Sequence, residues 1–317
     1  MNKFLLVTAA AVLSVFPVYG SEGGGREETL SAAAELLLER LYSSEERERV
    51  NSALRLGRYS HPEVIERLIY LAREDPSDSV RRVALRSLGS IGDERALPAI
   101  LEFTEDDNTA VMIEAVSAAV RFEDPRVKEM LLKKAEASNP MVRQRAVRFL
   151  GEFNERDLEG FILEKLGDVS EGVRMAAVES LAGRDSSRVG EALAQVLEQD
   201  RSAAVRAAAA EVLGGVPGMK DPLKDALTDS DITVRVRAAE SLAVLGSRAG
   251  LGVAVEGIKA QDYRARVISC RVIGMAGGEN ERIFLERAAG DHDRRVQRAA
   301  ESALREMDRR LRQNKSN

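Results

Sequence analysis

Tryptophan is absent from this 317-residue sequence, cysteine occurs once and histidine twice. A single cysteine, Cys270, excludes an intramolecular disulfide, so packing alone must hold the fold in any redox compartment. It falls inside a helical pattern and reads as a small buried hydrophobe. The histidines, His61 and His292, stand at opposite ends of the chain beside Pro62 and Asp293. That separation excludes a histidine-built metal centre and reads as two exposed loop residues. Aromatic residues make up only 4% of the chain, and none occurs between residues 164 and 262.

Catalytic signatures are missing as well. There is no GxxxxGK to cradle phosphates, no GxGxxG between strand and helix, and no GxSxG nucleophile elbow. Among 52 acids no carboxylate pair stands out as an acid/base couple. The 47 basic residues leave a net charge of −5, which argues against general nucleic-acid binding, since such binding needs a basic footprint for phosphates. The expectation is a protein without catalysis, cofactor or metal.

Only one long apolar run exists. Lys3 precedes Phe4 to Val18, interrupted by Thr8, Ser14 and Pro17, and Val18, Tyr19 and Gly20 offer a cleavage point before a polar stretch. This predicts a signal peptide over residues 1–20 and export to the periplasm or beyond the cell. The run is shorter than the roughly 20 residues that span a bilayer, so no stable membrane insertion is expected after cleavage.

What the chain does have is a repeat. With 44% hydrophobic and 31% charged residues it can bury a core. Helix-capping residues recur about every 31 positions as Ser77, Asn108, Asn139, Ser170, Ser202, Asp231, Asp262 and Asp293. All are types whose side chains accept from free amides at a helix start. Three residues after each cap stands Val80, Val111, Val142, Val173, Val205, Val234, Ala265 or Val296. Seven residues after it stands Ala or Ser, as in Ala84, Ala177 and Ser269, and eleven after it mostly Leu, as in Leu88 and Leu213. Steps of four keep these on one helical face, and the small middle residue admits a close neighbour.

Gly89, Gly151, Gly214 and Gly274 follow, where each helix is predicted to end. An apolar series then plugs the turn, including Ile91, Phe122, Phe153 and Val216, with Arg184 as the exception. A second amphipathic helix completes each unit, as in Leu193, Val196 and Leu197. A weaker ninth unit carries Arg49, Ser52, Leu56 and Gly57 in register. The expected organisation is a linker and capping helix over 21–43, a repeat array over 44–306 and a basic tail over 307–317.

Written as cap, x, x, Val-Arg, x, x, Ala, x, x, x, Leu-Gly, the repeat resembles the HEAT superfamily, closest to the short bacterial type called phycobilisome-lyase HEAT-like. The resemblance implies an all-α, right-handed α-solenoid of about nine helical hairpins. It also implies that an arginine and acid series, Asp75, Arg81, Arg143, Asp168, Arg174, Asp200, Arg206, Asp229, Arg235 and Arg266, forms a ladder between adjacent repeats. Met112 and Gln297 replace the arginine in two units, where charge pairing is expected to lapse. The function implied is a scaffold for a protein or peptide partner. Two alternatives stay open, a bilin lyase or isomerase and a nucleic-acid reader of the DNA-alkylation-repeat kind. Because aromatic anchors dominate many interfaces, Tyr42, Tyr59, Tyr70 and Phe103 are the expected contact residues.

Overall fold

A computed structural model describes residues 30–316 apart from 154 and 156. The expected signal peptide lies outside the described residues. Every regular element among those described is helical. Helix α1 (Ala32–Arg40) precedes a series of hairpins, beginning with α2 (Glu46–Leu56) and α3 (Pro62–Glu74), then α4 (Asp78–Ile91) and α5 (Leu97–Glu102). Next come α6 (Thr109–Ala119) and α7 (Pro125–Lys134), α8 (Pro140–Leu150) and α9 (Asp157–Glu164), and α10 (Glu171–Ser180) and α11 (Ser187–Gln199). The array continues with α12 (Ala203–Leu213) and α13 (Lys220–Asp225), α14 (Ile232–Val244) and α15 (Leu251–Gly257), and α16 (Tyr263–Ala276) and α17 (Glu279–Ala288). Helix α18 (Arg294–Ser316) closes it. The result is an α-solenoid.

All eight repeating Ser, Asn and Asp residues stand immediately before a helix, but they do not cap alike. Asn108, Asn139, Asp231, Asp262 and Asp293 accept from the new helix through their side chains. Ser77, Ser170 and Ser202 do not. Their own amides donate to an aspartate two residues earlier, Asp75, Asp168 and Asp200 at 2.9, 2.7 and 2.8 Å, as do those of Asn108, Asp231 and Asp293. This Asx turn fixes the loop just ahead of the helix.

The apolar series is buried as its spacing requires. Val80, Ala84 and Leu88 are fully buried, as are Val173, Ala177 and Leu181. Helix α14 serves two cores, with Val234, Ala238 and Leu242 turned to the preceding layers and Val236, Ala239 and Ala243 to the following ones. Ser269 takes the small-residue position in α16, fully buried, and its hydroxyl has no hydrogen-bond partner.

The glycines do different work from that expected. Gly89 and Gly274 lie inside α4 and α16, and Gly151 and Gly214 are helix-terminal with ordinary right-handed backbone. Each instead meets a small residue of the next layer. A Cβ on Gly89 would lie 2.8 Å from the Ala118 Cα, and one on Gly214 would lie 2.7 Å from the Ser241 Oγ. Gly57 meets Ser87 in the same way, and the facing serines Ser87, Ser180 and Ser241 donate back to carbonyls of the preceding layer, at Ala53, Val147 and Ala210. Three layer contacts lack the glycine and carry Val120 with Phe149, Ala182 with Val212, and Ala243 with Val272 at the same positions.

The expected basic tail is not separate from the array. Helix α18 runs through residue 306 without a break, Met307 is fully buried, and Arg310 donates to the carbonyls of Gly274 and Gly277 at the end of α16. Those carbonyls have no partner within their own helix, so the cation satisfies them.

Candidate interaction surface

The cap-bearing helices, α2, α4, α6 and every second helix to α18, stack directly on one another. The intervening helices stand further apart, with α11 and α13 the pair that meets. The crowded row therefore lies inside the bend of the solenoid. Glycine at the layer contacts is what allows that crowding.

Between these layers runs the arginine and aspartate ladder, and each arginine has two tasks. Arg174 donates through Nε and Nη2 to both oxygens of Asp200 at 2.7 and 3.0 Å, while Nη1 holds the carbonyl of Asp168 in its own loop. Arg143 to Asp168, Arg206 to Asp229 and Arg266 to Asp291 repeat the fork, as does Arg49 to Asp75. Arg81 reaches Asp106 through one nitrogen at 3.1 Å and Asp78 through the other. Each of these six arginines thus pairs with the acid of the following unit, and that acid also fixes the following cap. The Arg174 and Asp200 side chains are only 6% and 5% exposed.

Electrostatics follow the geometry. The Arg143 guanidinium holds Asp168 below the usual carboxylate range, and Arg206 does the same for Asp229. Burial pushes Asp200 up, but the bonds from Arg174 and the Ser202 amide outweigh it and leave the carboxyl lowered.

The ladder lapses in two places. Met112 carries no charge, and the residue its partner would occupy is Ala137. Asp106 still accepts from Arg81, so that unit keeps its incoming pair and loses only the outgoing one. Further on, Arg235 faces Ala260 and turns to Glu256 at 2.7 Å. An open depression lies there, lined by Ile232, Arg235, Val255, Glu256 and Lys259. At the last unit Gln297 replaces the arginine and donates to its own loop at the Asp291 carbonyl, as the arginines do.

On the inner row, residues two, nine and thirteen positions after each cap form an exposed or half-buried stripe opposite the core positions. The fifth and sixth join it in α2, α4, α6 and α8, whereas Ala176, Ala207, Val236 and Ile268 at those positions are buried. Ion pairs join it from layer to layer. Arg86 forks onto Glu114 at 2.9 and 2.7 Å, Arg148 meets Glu179 at 3.0 Å, and Arg271 meets Glu240 at 2.9 Å.

The four aromatic residues expected to form a contact surface do not come together on this stripe. Phe103 is buried in the core, and Tyr59 is half-buried against it. Phe103 follows α5 in a short 3-10 turn that tucks its ring inward, a placement that helical spacing does not encode. Tyr42 and Tyr70 are exposed, but on the outer row, where Arg67 of α3 sits over the Tyr42 ring at 5.9 Å.

His61 accepts from the Glu63 amide as the cap of α3, and His292 lies 3.3 Å from Asp291. Cys270 is fully buried and burial pushes its thiol up to about 12, which leaves almost no thiolate near neutral pH. Among the described residues no acidic, histidine or cysteine group is arranged to hold a metal, and no helix is long and apolar enough to cross a membrane.

Comparison with known proteins matches this geometry. The structure of YibA from Escherichia coli is similar, at 19% identity over 84% of this chain and 98% of that one, with a TM-score of 0.57. An engineered protein (17% identity, 87% of this chain and 89% of that one, TM-score 0.45) is a looser likeness. So is the CpcE and CpcF complex of phycocyanin lyase from Nostoc sp. (19% identity, 93% and 98%, TM-score 0.40). No curated relative matches the chain. The family model for HEAT repeats matches residues 34–121, 128–214 and 221–305. With the ladder, the paired helices and the stacked layers in place, the chain belongs to the HEAT-repeat family.

Proposed function

We propose that the protein is a non-catalytic, exported scaffold that holds a protein or peptide partner along the inner row of its solenoid. The observation that carries this reading is the continuity of that row from α2 to α18, which offers one extended face built from stacked helices. The side chains able to act as nucleophile, base or metal ligand support it, since Cys270 is buried, His61 caps a helix and His292 leans on the ladder. Export rests on the N-terminal sequence alone.

Affinity capture tests the proposal. The purified protein would be incubated with an envelope extract of its source and bound material identified across a salt series. One protein retained in near-stoichiometric amount supports the scaffold. A folded bait that retains no protein but turns over or tightly binds a small molecule would overturn it. Fractionation of cells would test export separately, and a cytoplasmic location would remove that part.

A further inference from the structure

The inner stripe is not electrically uniform. Over the layers of α2 to α8 it carries Arg47, Arg58, Arg82, Arg86, Arg121, Arg145 and Arg148 against Glu114 and Glu152. The protein as a whole is acidic, at −5, so this half of the face opposes the sign of the molecule. In the next two layers the same stripe carries Glu179 and Glu211 and otherwise small or apolar residues.

The balance of partners within the basic half is uneven. Glu114 serves two cations, forking with Arg86 and lying 3.8 Å from Arg82, and the Nε of Arg82 is buried with no hydrogen-bond partner. Arg148 uses Glu179 of the next layer. Arg145 sits over the Phe149 ring at 5.8 Å and makes no ion pair among the described residues. Arg58 and Arg121 are exposed with no ion pair among the described residues. Several guanidinium groups thus converge on one curved face with donors to spare. Exposed apolar side chains stand beside them, Leu54 one turn from Arg58 and Met141 one turn from Arg145, at 50% and 61% exposure.

From this arrangement we infer that the inner face of α2, α4, α6 and α8 docks an acidic, extended segment of a partner protein, with apolar residues between its carboxylates. The inference rests on the scaffold reading and names the surface and the partner chemistry. Guanidinium forks match carboxylates in pairs, and the Arg86 and Glu114 pair already shows that geometry on this face. The leucine and methionine give the apolar residues somewhere to rest. A phosphodiester chain fits less well, because Glu114, Glu152 and Glu179 interleave with the arginines and the stripe has no exposed ring on which bases could stack.

The test uses the full chain and a fluorescently labelled peptide of about 20 residues, rich in glutamate with interspersed leucine. The protein carrying Arg58→Glu and Arg121→Glu is compared with wild type and with Arg188→Glu on the outer helix α11. Neither reversed arginine makes an ion pair here, so folding should survive and circular dichroism checks it. Saturable binding that weakens with salt, falls about tenfold or more in the double variant and stays unchanged in Arg188→Glu is expected. No binding, equal binding by the double variant, or tighter binding of a single-stranded oligonucleotide of equal charge would overturn the inference. A partner captured from extract equally well by wild type and the double variant would sink this surface while leaving the scaffold reading intact.

Discussion

Gly151 and Ser180 lie so close that a Cβ placed on the glycine would fall 2.5 Å from the serine Cβ. Gly151→Ala is therefore expected to destabilise the protein by about 1–3 kcal/mol through overpacking. At an exposed helical position the same change usually stabilises, because alanine is the better helix former. Urea unfolding of the variant decides between them, and an unchanged or raised midpoint would show that the layers can separate without cost.

Asp200 joins two layers through Arg174 and fixes the loop through the Ser202 amide. Removing it in Asp200→Ala strands a nearly buried guanidinium and frees that amide. A loss of about 3–5 kcal/mol follows from breaking a buried pair on one side only. A thermal midpoint within one or two degrees of wild type would mean that water replaces the carboxylate at little cost.

Acid should loosen the array through the same residues. Asp168, Asp200 and Asp229 are lowered in the fold relative to an unfolded value near ~3.9. Their contribution is present above that value and disappears as pH falls through the lower folded values. Thermal midpoints should therefore drop as pH falls below about 4, and the drop should shrink in Asp200→Asn. A melting temperature flat from pH 7 to pH 3 would contradict the assignment.

The missing rung can be installed. Met112→Arg together with Ala137→Asp restores the pattern seen at Arg143 and Asp168, and the pair is expected to stabilise by about 1 kcal/mol beyond the sum of the single changes. A double-mutant cycle measures that coupling. Zero coupling would mean that the α6 and α8 layers sit too far apart for the fork to form.

Ser269 offers a change of opposite sign. Its buried hydroxyl lacks a partner, and most units carry alanine there. Ser269→Ala should raise stability by about 1 kcal/mol, since it removes an unsatisfied polar group without opening a large void. A destabilised variant would point to a hydrogen bond made in solution.

Most of the fold was legible because the repeat states it many times. Caps, the valine, alanine and leucine positions, and the arginine and aspartate series each recur, so one ambiguous unit is corrected by its neighbours. Less legible was anything that depends on the adjacent layer. Gly89 reads as a helix end in isolation, and only the Ala118 backbone beside it reveals its role. The aspartates read as ladder partners, but their bond to the following cap amide is a feature of loop geometry. Phe103 was misplaced because an irregular turn, not a helical period, sets its direction. The basic stripe was present in the sequence, yet arginines on exposed positions look like ordinary solvated charge until stacking aligns them.

At the step from α6 to α8 two fastenings lapse together, since Met112 faces Ala137 where a fork would be and Val120 faces Phe149 where a glycine would sit against a small residue. The step from α14 to α16 shares both lapses, with Arg235 facing Ala260 and Ala243 facing Val272. A rod assembled from repeated layers yields first at its weakest seams. Under tension from a partner gripped at both ends, this solenoid should flex or part at those two, leaving the blocks on either side intact. Its stiffness is thus set by these two junctions and not by the average of all of them, and a single-molecule trace should show early, low-force steps of fixed length.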